Sequence, residues 1–407
     1  MNKRVLIIGA GPAGLVAAAN LLNKGCDVTI LERSIFPRVV VGESLLPASM
    51  EQFEEVGFLE PLKAAGFAKK EGVRFIKNNV KVEFSFAEQF SKGWTYTWQV
   101  PRADFDMIMA EEVIKKGGVI YFGANISSLE TTPVPTITFE KDGEKQTITG
   151  DFLIDSSGFG CVVPNMLGHK VEKGQYPNWA VFTHVKDEFK DNFPEPNRIS
   201  FDILETDLWF WMIPFSNGTT SLGFAGNMAH FADEKDDGKA YFKEKLAQTK
   251  WFHERFKDTE ILFDPVWYRG YSQSSDTMYG ENWALCGNCA EFLDPVFSSG
   301  VALATASSMK ASNLVLDTFA GKKVDWADYA TYMKQGIGVF RSYVDHWYDG
   351  KLQDIFFCGY FNETFKEQVC SVLAGYVWDM DNPFVRRPAQ GILSLHRVVT
   401  LMMEEDD

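Results

Sequence analysis

Three glycines near the start of the chain have the spacing of a phosphate-binding turn. An apolar run at residues 4–8 is typical of a buried strand, and it leads into Gly9, Gly11 and Gly14, which are followed by a stretch of helical composition. In such a turn the glycines permit the bend, the approach of a pyrophosphate and close helix packing. A second apolar run ends about twenty residues on, at Glu32, where a carboxylate can bind a ribose hydroxyl. The pattern predicts a dinucleotide-binding βαβ unit.

A run of bulky aromatic residues in the middle of the chain is the second feature with chemical consequences. Residues 209–214 read WFWMIP. Because side chains alternate along a strand, Trp209 and Trp211 are expected on one face. Two neighbouring indoles can form a wall between two compartments, or they can be core tryptophans of an amphipathic strand.

The residues that most often bind metals do not cluster in this sequence. Cys286 and Cys289 form a single C-x-x-C pair without a histidine cluster, and the six histidines show no metal-binding spacing. We therefore expect no metal site and no redox role for this pair.

Composition narrows the class of protein. The chain has 407 residues, a formal net charge of −15 and 45% hydrophobic residues. The negative charge disfavours nucleic acid as a partner, because phosphate binding needs clustered Lys and Arg. No apolar stretch of about twenty residues is present, so no membrane span is expected. Six scattered cysteines without a secretion signal predict reduced thiols and a cytoplasmic location.

The order of the elements predicts a mixed α/β protein with a cofactor domain that is discontinuous in sequence. Alternating apolar and polar residues predict an antiparallel sheet, and a strongly aromatic tail is expected to be helical. Asp104 is predicted to cap a helix over residues 104–116, and Asp142 with Gly143 to form a hairpin turn. The predicted units are residues 1–75, 98–163 and 270–320 for the cofactor domain, 76–97 and 164–269 for the sheet domain, and 321–407 for the helical segment.

Four segments together resemble the flavin monooxygenase superfamily of the para-hydroxybenzoate hydroxylase type. They are the glycine turn with Glu32-Arg33, VPRADFD at residues 100–106, DFLIDSSG at residues 151–158, and GNCAEFLDP at residues 287–295. The resemblance implies a Rossmann-like FAD-binding domain beside an antiparallel-sheet substrate domain. Asn288 stands where the family usually has Asp, and an amide can still hydrogen-bond a ribityl hydroxyl. The cofactor-binding residues it implies are Gly9, Gly11, Ala13, Gly14, Glu32, Arg33, Gly42, Ser44, Arg102, Asp155, Gly287, Asn288, Pro295 and Gly300.

Within that superfamily the chain resembles the shorter, phenol- and pyrrole-acting flavin-dependent halogenases. WFWMIP matches their W-x-W-x-I-P motif, and FAKKEG at residues 67–72 matches the segment that carries their lysine. Lys70 aligns best, and Lys69 beside it is the alternative. Residues 294–301 (DPVFSSGV) resemble the halide loop, and residues 42–47 (GESLLP) resemble another loop beside the flavin.

The resemblance implies that reduced FAD, oxygen and chloride or bromide give hypohalous acid, which halogenates an electron-rich aromatic ring. Trp209 and Trp211 would keep the ring away from the flavin, and the Lys70 amine would guide the oxidant. Ser298, Ser299 and Gly300 would bind the halide at a helix start. Glu43 is a candidate base for the ring proton.

The same resemblance implies partners and leaves alternatives open. A separate flavin reductase would supply FADH2, because no second glycine motif provides an NAD(P)H site. The aromatic substrate could be free, tethered to a carrier protein or part of a lipid. Two other flavoenzymes stay open as alternatives: a reductase resembling geranylgeranyl reductase, and an aromatic hydroxylase.

Overall fold

The computed structural model describes residues 2–187, 197–231, 238–249, 251–359 and 362–406. The strands of this part are β1 (Arg4–Ile8), β2 (Asp27–Glu32), β3 (Ala68–Lys70), β4 (Gly72–Lys77), β5 (Val80–Ser85), β6 (Thr97–Gln99), β7 (Val119–Phe122), β8 (Asn125–Glu130), β9 (Thr136–Lys141), β10 (Glu144–Thr149), β11 (Phe152–Asp155), β12 (Val171–Lys173), β13 (Asn178–Lys186), β14 (Arg198–Glu205), β15 (Leu208–Pro214), β16 (Thr219–Asn227), β17 (Val266–Arg269), β18 (Gln273–Ser275), β19 (Tyr279–Gly280), β20 (Trp283–Leu285) and β21 (Glu291–Phe292). The helices are α1 (Pro12–Asn23), α2 (Ser49–Val56), α3 (Leu59–Ala64), α4 (Arg102–Lys115), α5 (Val162–Leu167), α6 (Gly238–Leu246), α7 (His253–Phe256), α8 (Ser299–Phe319), α9 (Trp326–Tyr348), α10 (Lys351–Phe357), α11 (Glu363–Leu373), α12 (Pro383–Arg386) and α13 (Pro388–Asp406).

A largely parallel sheet carries the glycine turn, as the sequence predicts. Its order is β19-β20-β11-β1-β2-β7, with only the β19–β20 pair antiparallel. Strand β1 is apolar and buried, as expected for the centre of a parallel sheet. Helix α1 follows the turn directly and packs against α8, where the Asn20 side chain donates a hydrogen bond to Ser312 Oγ at 2.7 Å. The N-terminal βαβ unit and α8 therefore pack together, although they are far apart in sequence.

A second sheet of seven strands forms the other half of the fold. Its order is β17-β13-β16-β15-β14-β4-β5, and every neighbouring pair is antiparallel except β14 with β4. One face buries Phe210 and Phe224 in a separate core with Phe242 of α6 and Phe256 of α7. The opposite face carries Trp209 and Trp211. We call this opposite face the indole face.

The position of strand β4 differs from one predicted domain boundary. The predicted boundary between residues 75 and 76 falls inside this strand, which pairs with β5 on one side and β14 on the other. Long-range pairing of Phe75 with Phe201 draws the strand into the seven-stranded sheet. The remaining predicted domain boundaries stay predictions.

One predicted turn is confirmed, and one predicted helix begins earlier than expected. The β9–β10 hairpin turns at Asp142 and Gly143, with φ of 53° and 81°, as the sequence predicts. Helix α4 begins at Arg102 rather than Asp104, because Pro101 precedes it with an extended ψ and the Arg102 side chain pairs with Asp106 one turn on. Helix α6 begins at Gly238, and residues 232–237 before it lie outside the described part.

The C-terminal segment is helical in its described part, and its aromatic residues are mostly packed. Tyr343 and Trp347 of α9 and Phe356 of α10 are buried. The rings of Trp347 and Phe356 both lie 5.2 Å from Phe75, measured between centroids, so these helices cover the β4 end of the indole face. None of the described helices combines the length and the apolar character needed to cross a membrane.

The indole of Trp211 depends on a glycine directly across the sheet. Gly223 pairs with Trp211, and a Cβ atom there would lie 2.2 Å from the indole ring. Gly223→Ala must therefore displace the ring, and we expect a loss of about 1–3 kcal/mol in the free energy of unfolding. Gly338→Ala in α9 is the matched control, because no atom lies within 4 Å of the place that its Cβ would take; it should stabilise by about 0.5–1 kcal/mol. Urea unfolding measures both, and equal stability of the two variants would contradict this packing.

Candidate active site

A cavity of about 410 Å³ lies between the glycine turn and the indole face. It brings together residues from three distant stretches of the chain, 9–44, 102–160 and 287–304, and from the seven-stranded sheet. The predicted site residues that line it are Gly9, Gly11, Ala13, Glu32, Arg33, Gly42, Glu43, Ser44, Arg102, Trp209, Trp211, Gly287, Asn288, Pro295, Ser298 and Gly300.

Two of the three glycines in the turn have no space for a side chain. A Cβ atom at Gly9 would lie 2.5 Å from the Ser156 carbonyl oxygen, and one at Gly14 would lie 2.0 Å from the Gly9 carbonyl oxygen. The Glu32 carboxylate accepts hydrogen bonds from the backbone N–H groups of Ala10 and Ser34, each at 2.7 Å. Glu32 thus fixes the turn and faces the cavity at the end of β2, which suits the ribose end of a dinucleotide.

The loop after β2 forms the opposite end of the cavity. Gly42 has a φ of +98°, and the Arg102 guanidinium donates a 2.8 Å hydrogen bond to the carbonyl oxygen of Val41. Arg102 is itself held by Asp106 through two hydrogen bonds of 2.8 and 2.9 Å. The Ser44 hydroxyl lines the cavity but has no hydrogen-bond partner among the described residues. A buried donor without a partner fits a ligand with acceptor groups, as FAD has.

The start of helix α8 closes the same end. Ser298 adopts a left-handed conformation with φ of 55° immediately before the helix, and both Ser298 and Gly300 line the cavity. The first N–H groups of a helix lack partners within the helix and carry a partial positive charge. This end of α8 can therefore hold an anion.

Not every predicted site residue faces the cavity. Those outside its lining are Gly14, Lys70, Asp155 and Ser299. The Asp155 carboxylate instead accepts hydrogen bonds from the N–H groups of Ser157 at 2.9 Å and Val163 at 2.7 Å. Asp155 therefore shapes the turn at residues 156–160 that lines the cavity, which is an indirect role that the sequence did not distinguish.

The two indoles lie side by side on the indole face, as predicted. Both are buried, their ring centroids are 5.7 Å apart, and both line the cavity. Trp211 Nε1 donates to Ser221 Oγ at 3.2 Å, and Trp209 Nε1 donates to the Tyr348 hydroxyl at 3.1 Å. Each indole thus has its polar atom satisfied away from the cavity and presents an apolar surface towards it.

Lys70 lies behind the loop that lines the cavity. It is on β3, only 1% exposed, and its Nζ donates to the carbonyl oxygen of Leu45 at 2.8 Å. Burial lowers the pKa of Lys70 to about 7, so much of the amine is neutral near neutral pH. Lys69 differs in each respect, because its side chain is 48% exposed and forms an ion pair with Glu71.

Glu43 has a partner that sequence reasoning missed. Its Oε1 lies 2.5 Å from His184 Nε2, and His184 is on the indole face of β13. The sequence contains one usable signal, since His184 alternates with Phe182 along a strand, but the pairing with Glu43 needs the sheet register.

The two thiols of the C-x-x-C pair lie in the protein interior. Cys286 and Cys289 are buried and free, and burial raises the pKa of the Cys286 thiol to about 12. In the described part of the chain no group of three or more His, Cys, Asp or Glu side chains is placed to hold a metal ion.

The fold and cavity define an FAD-binding flavoprotein, and comparison with known families agrees. Residues 2–304 match the family model described as FAD binding domain, which covers more than half of the chain. The chain belongs to this family, and FAD is its cofactor.

Individual relatives refine this assignment. The flavin-dependent halogenase ptaM of Pestalotiopsis fici is 33% identical over an alignment of 338 positions that covers 76% of this chain and 62% of that protein. The 1H-pyrrole-2-carbonyl-[peptidyl-carrier protein] chlorinase of Pseudomonas fluorescens is 25% identical over 85% of this chain and 82% of its own length. A crystal structure of a flavoprotein/dehydrogenase from Cytophaga hutchinsonii is 40% identical, with a TM-score of 0.95, and covers 99% of this chain and 100% of that one. The predicted resemblance to flavin-dependent halogenases is confirmed.

The unpartnered Ser44 hydroxyl allows a direct test of the cavity as the FAD site. Ser44→Ala should raise the FAD dissociation constant about 3- to 10-fold, because it removes one hydrogen bond of ordinary net strength between the protein and FAD. Ser49→Ala is the control, because the Ser49 hydroxyl is also buried without a partner among the described residues but lies outside the cavity lining. Fluorescence titration with FAD measures both variants. Equal affinities would remove Ser44 from the cofactor site.

Proposed function

We propose that the protein is an FAD-dependent halogenase that acts on an electron-rich aromatic substrate. Reduced FAD, when bound, supplies the electrons with which oxygen oxidises chloride or bromide to hypohalous acid. The observation that carries the proposal is the pair of indoles on the cavity wall, with a buried amine behind the adjoining loop.

The indoles act by exclusion. Trp209 and Trp211 pack against each other, and Trp209 contacts Phe201, which stacks on Phe75 at 5.1 Å. An aromatic guest cannot reach the cofactor cavity through this continuous wall without displacing a buried ring. A small species such as hypohalous acid needs far less space, so the wall favours halogenation over direct oxygen transfer.

The halide is proposed to bind at the start of α8. Ser298, Ser299 and Gly300 provide small side chains and backbone N–H groups there, and the left-handed Ser298 gives the concave backbone that suits anions. The positive end of a helix of 21 residues adds favourable charge.

Lys70 is the proposed guide for the oxidant. A neutral amine reacts with hypohalous acid to give a haloamine and water, and its lowered pKa makes that form available near neutral pH. Lys69 is ion-paired with Glu71 at the surface and is the weaker candidate.

The substrate class and partners complete the proposal. The name of the Pseudomonas relative gives a carrier-bound pyrrole as its substrate, and a carrier-tethered or free phenol-like ring suits the same chemistry. A separate flavin reductase would supply FADH2. Glu43, the candidate base for the ring proton, lines the cofactor cavity, on the side of the proposed wall away from the ring. The six cysteines are free, which suits the reducing cytoplasm that we propose as the location.

One observation favours a second candidate, a flavin-dependent dehydrogenase. The Cytophaga protein carries that description and is 40% identical over nearly the whole chain. Such an enzyme would oxidise an organic substrate without halide, so anaerobic bleaching of bound FAD by substrate separates the two candidates.

Substitution of each of the two neighbouring lysines in turn tests whether Lys70 guides the oxidant. With FADH2, oxygen and bromide or chloride, Lys70→Met should reduce halogenated product by about 100-fold or more, while Lys69→Met should keep most of it. Mass spectrometry of a panel of free phenols and a carrier-bound pyrrole measures the product, and FAD titration verifies that both variants bind cofactor. Undiminished product in Lys70→Met would exclude this lysine as the guide.

The lowered pKa of Lys70 predicts a pH dependence with a defined sign. The reactive amine is scarce below its pKa of about 7 and abundant above it. Halogenation should therefore rise about tenfold per pH unit below that value and level off above it. A pH–rate profile at saturating FADH2 measures this, and a rate that falls as pH rises through 7 would contradict the amine form.

A further inference from the structure

The Glu43–His184 contact joins a residue of the cavity lining to a partly exposed histidine. Glu43 is buried and lines the cavity, whereas the His184 side chain is 13% exposed. Their 2.5 Å contact joins Oε1 to Nε2, which is short for a hydrogen bond of this type. The second carboxylate oxygen, Oε2, has no hydrogen-bond partner among the described residues. One oxygen is thus bound to His184, and the other is a buried acceptor without a partner among the described residues.

The surroundings leave His184 as the direct partner of this carboxylate. Arg38 and Arg102 are the other charged groups that act electrostatically in this region, since both influence the Tyr268 hydroxyl together with Glu43. Both arginines already form ion pairs with Asp106, at 3.2 and 2.8 Å. The His184 ring itself is packed among apolar rings, with centroids 4.9 Å from Phe263 and 5.2 Å from Phe215. These contacts fix the ring in place.

The proposed reaction creates a need for proton transfer into this cavity. Oxidation of FADH2 and one halide ion by O2, with replacement of one ring hydrogen, yields FAD, the halogenated ring and two waters, and it consumes one proton. A carboxyl group in the cavity lining offers one route by which that proton can enter. Carboxylate and imidazole groups in contact are suited to proton transfer near neutral pH.

We propose that Glu43 and His184 form a proton relay into the cofactor cavity. A proton from solvent adds to Nδ1 of the His184 imidazole, and the Nε2 proton passes to the Glu43 carboxylate at Oε1. Rotation of the neutral carboxyl group then carries that proton towards the cavity, where its release restores the carboxylate. Exchange with solvent returns the ring to its starting tautomer. Glu43 is the catalytic group at the cavity, and His184 is a positioning residue that acts through it. This inference rests on the proposed halogenase function.

Stopped-flow measurement of the return of oxidised FAD after mixing with oxygen and bromide tests the relay. His184→Ala and the isosteric Glu43→Gln should each slow this step about tenfold or more, with FAD affinity unchanged and a larger solvent deuterium isotope effect. Added imidazole should restore the rate of His184→Ala. His230→Ala is the matched control, because His230 also contacts a carboxylate, Asp207 at 2.7 Å, but lies outside the cavity lining.

A readout independent of turnover accompanies the kinetics. In protein whose histidines are isotopically labelled, and without cofactor, NMR should show a His184 ring N–H signal that is protected from exchange with solvent. This signal should be lost in Glu43→Gln. Unchanged rates in both variants would overturn the relay. A slowing that follows weaker FAD binding and does not respond to imidazole would also overturn it, because the contact would then only hold the loop that contains Glu43 in position. Wild-type protein that reoxidises FADH2 but yields no halogenated product would refute the proposed function instead.

Discussion

One packing constraint governs the whole site: two indoles must be buried side by side on the sheet face that closes the cofactor cavity. Trp211 is accommodated only because Gly223 lies opposite it, and Trp209 is held through the Tyr348 hydroxyl. Large aromatic side chains bury much apolar surface, so their positions are costly to change. The wall is therefore part of the core, and the barrier and core-packing interpretations of this pair are compatible.

The same wall is coupled to the start of α8 by a buried polar network. Asp294 accepts hydrogen bonds from Tyr271 and Tyr348 at 2.9 Å each and from Asn178 at 3.1 Å, and its Oδ1 caps the turn before α8. Burial raises the pKa of the Asp294 carboxyl, while these donors act in the opposite direction. Since Tyr348 also accepts from the Trp209 indole, the position of the wall and that of the proposed halide site are set by one network.

Sequence patterns predicted those features of the molecule that depend only on residues close together in the chain. The glycine turn, the alternation of Trp209 and Trp211, and the β9–β10 hairpin each follow from a few neighbouring residues. The parallel β4–β14 pair, the Glu43–His184 contact and the position of Lys70 behind the cavity loop come from pairing between distant segments. Periodicity within one segment carries no information about such pairing, because register and sheet order are set by the tertiary packing.

The most direct test of the barrier is a crystal structure with FAD and a bound aromatic substrate. We predict that the Trp209 and Trp211 rings separate the isoalloxazine from the guest, and that the guest approaches the Lys70 amine. A guest that stacks against the isoalloxazine with no indole between them would contradict the separation on which the proposed chemistry depends.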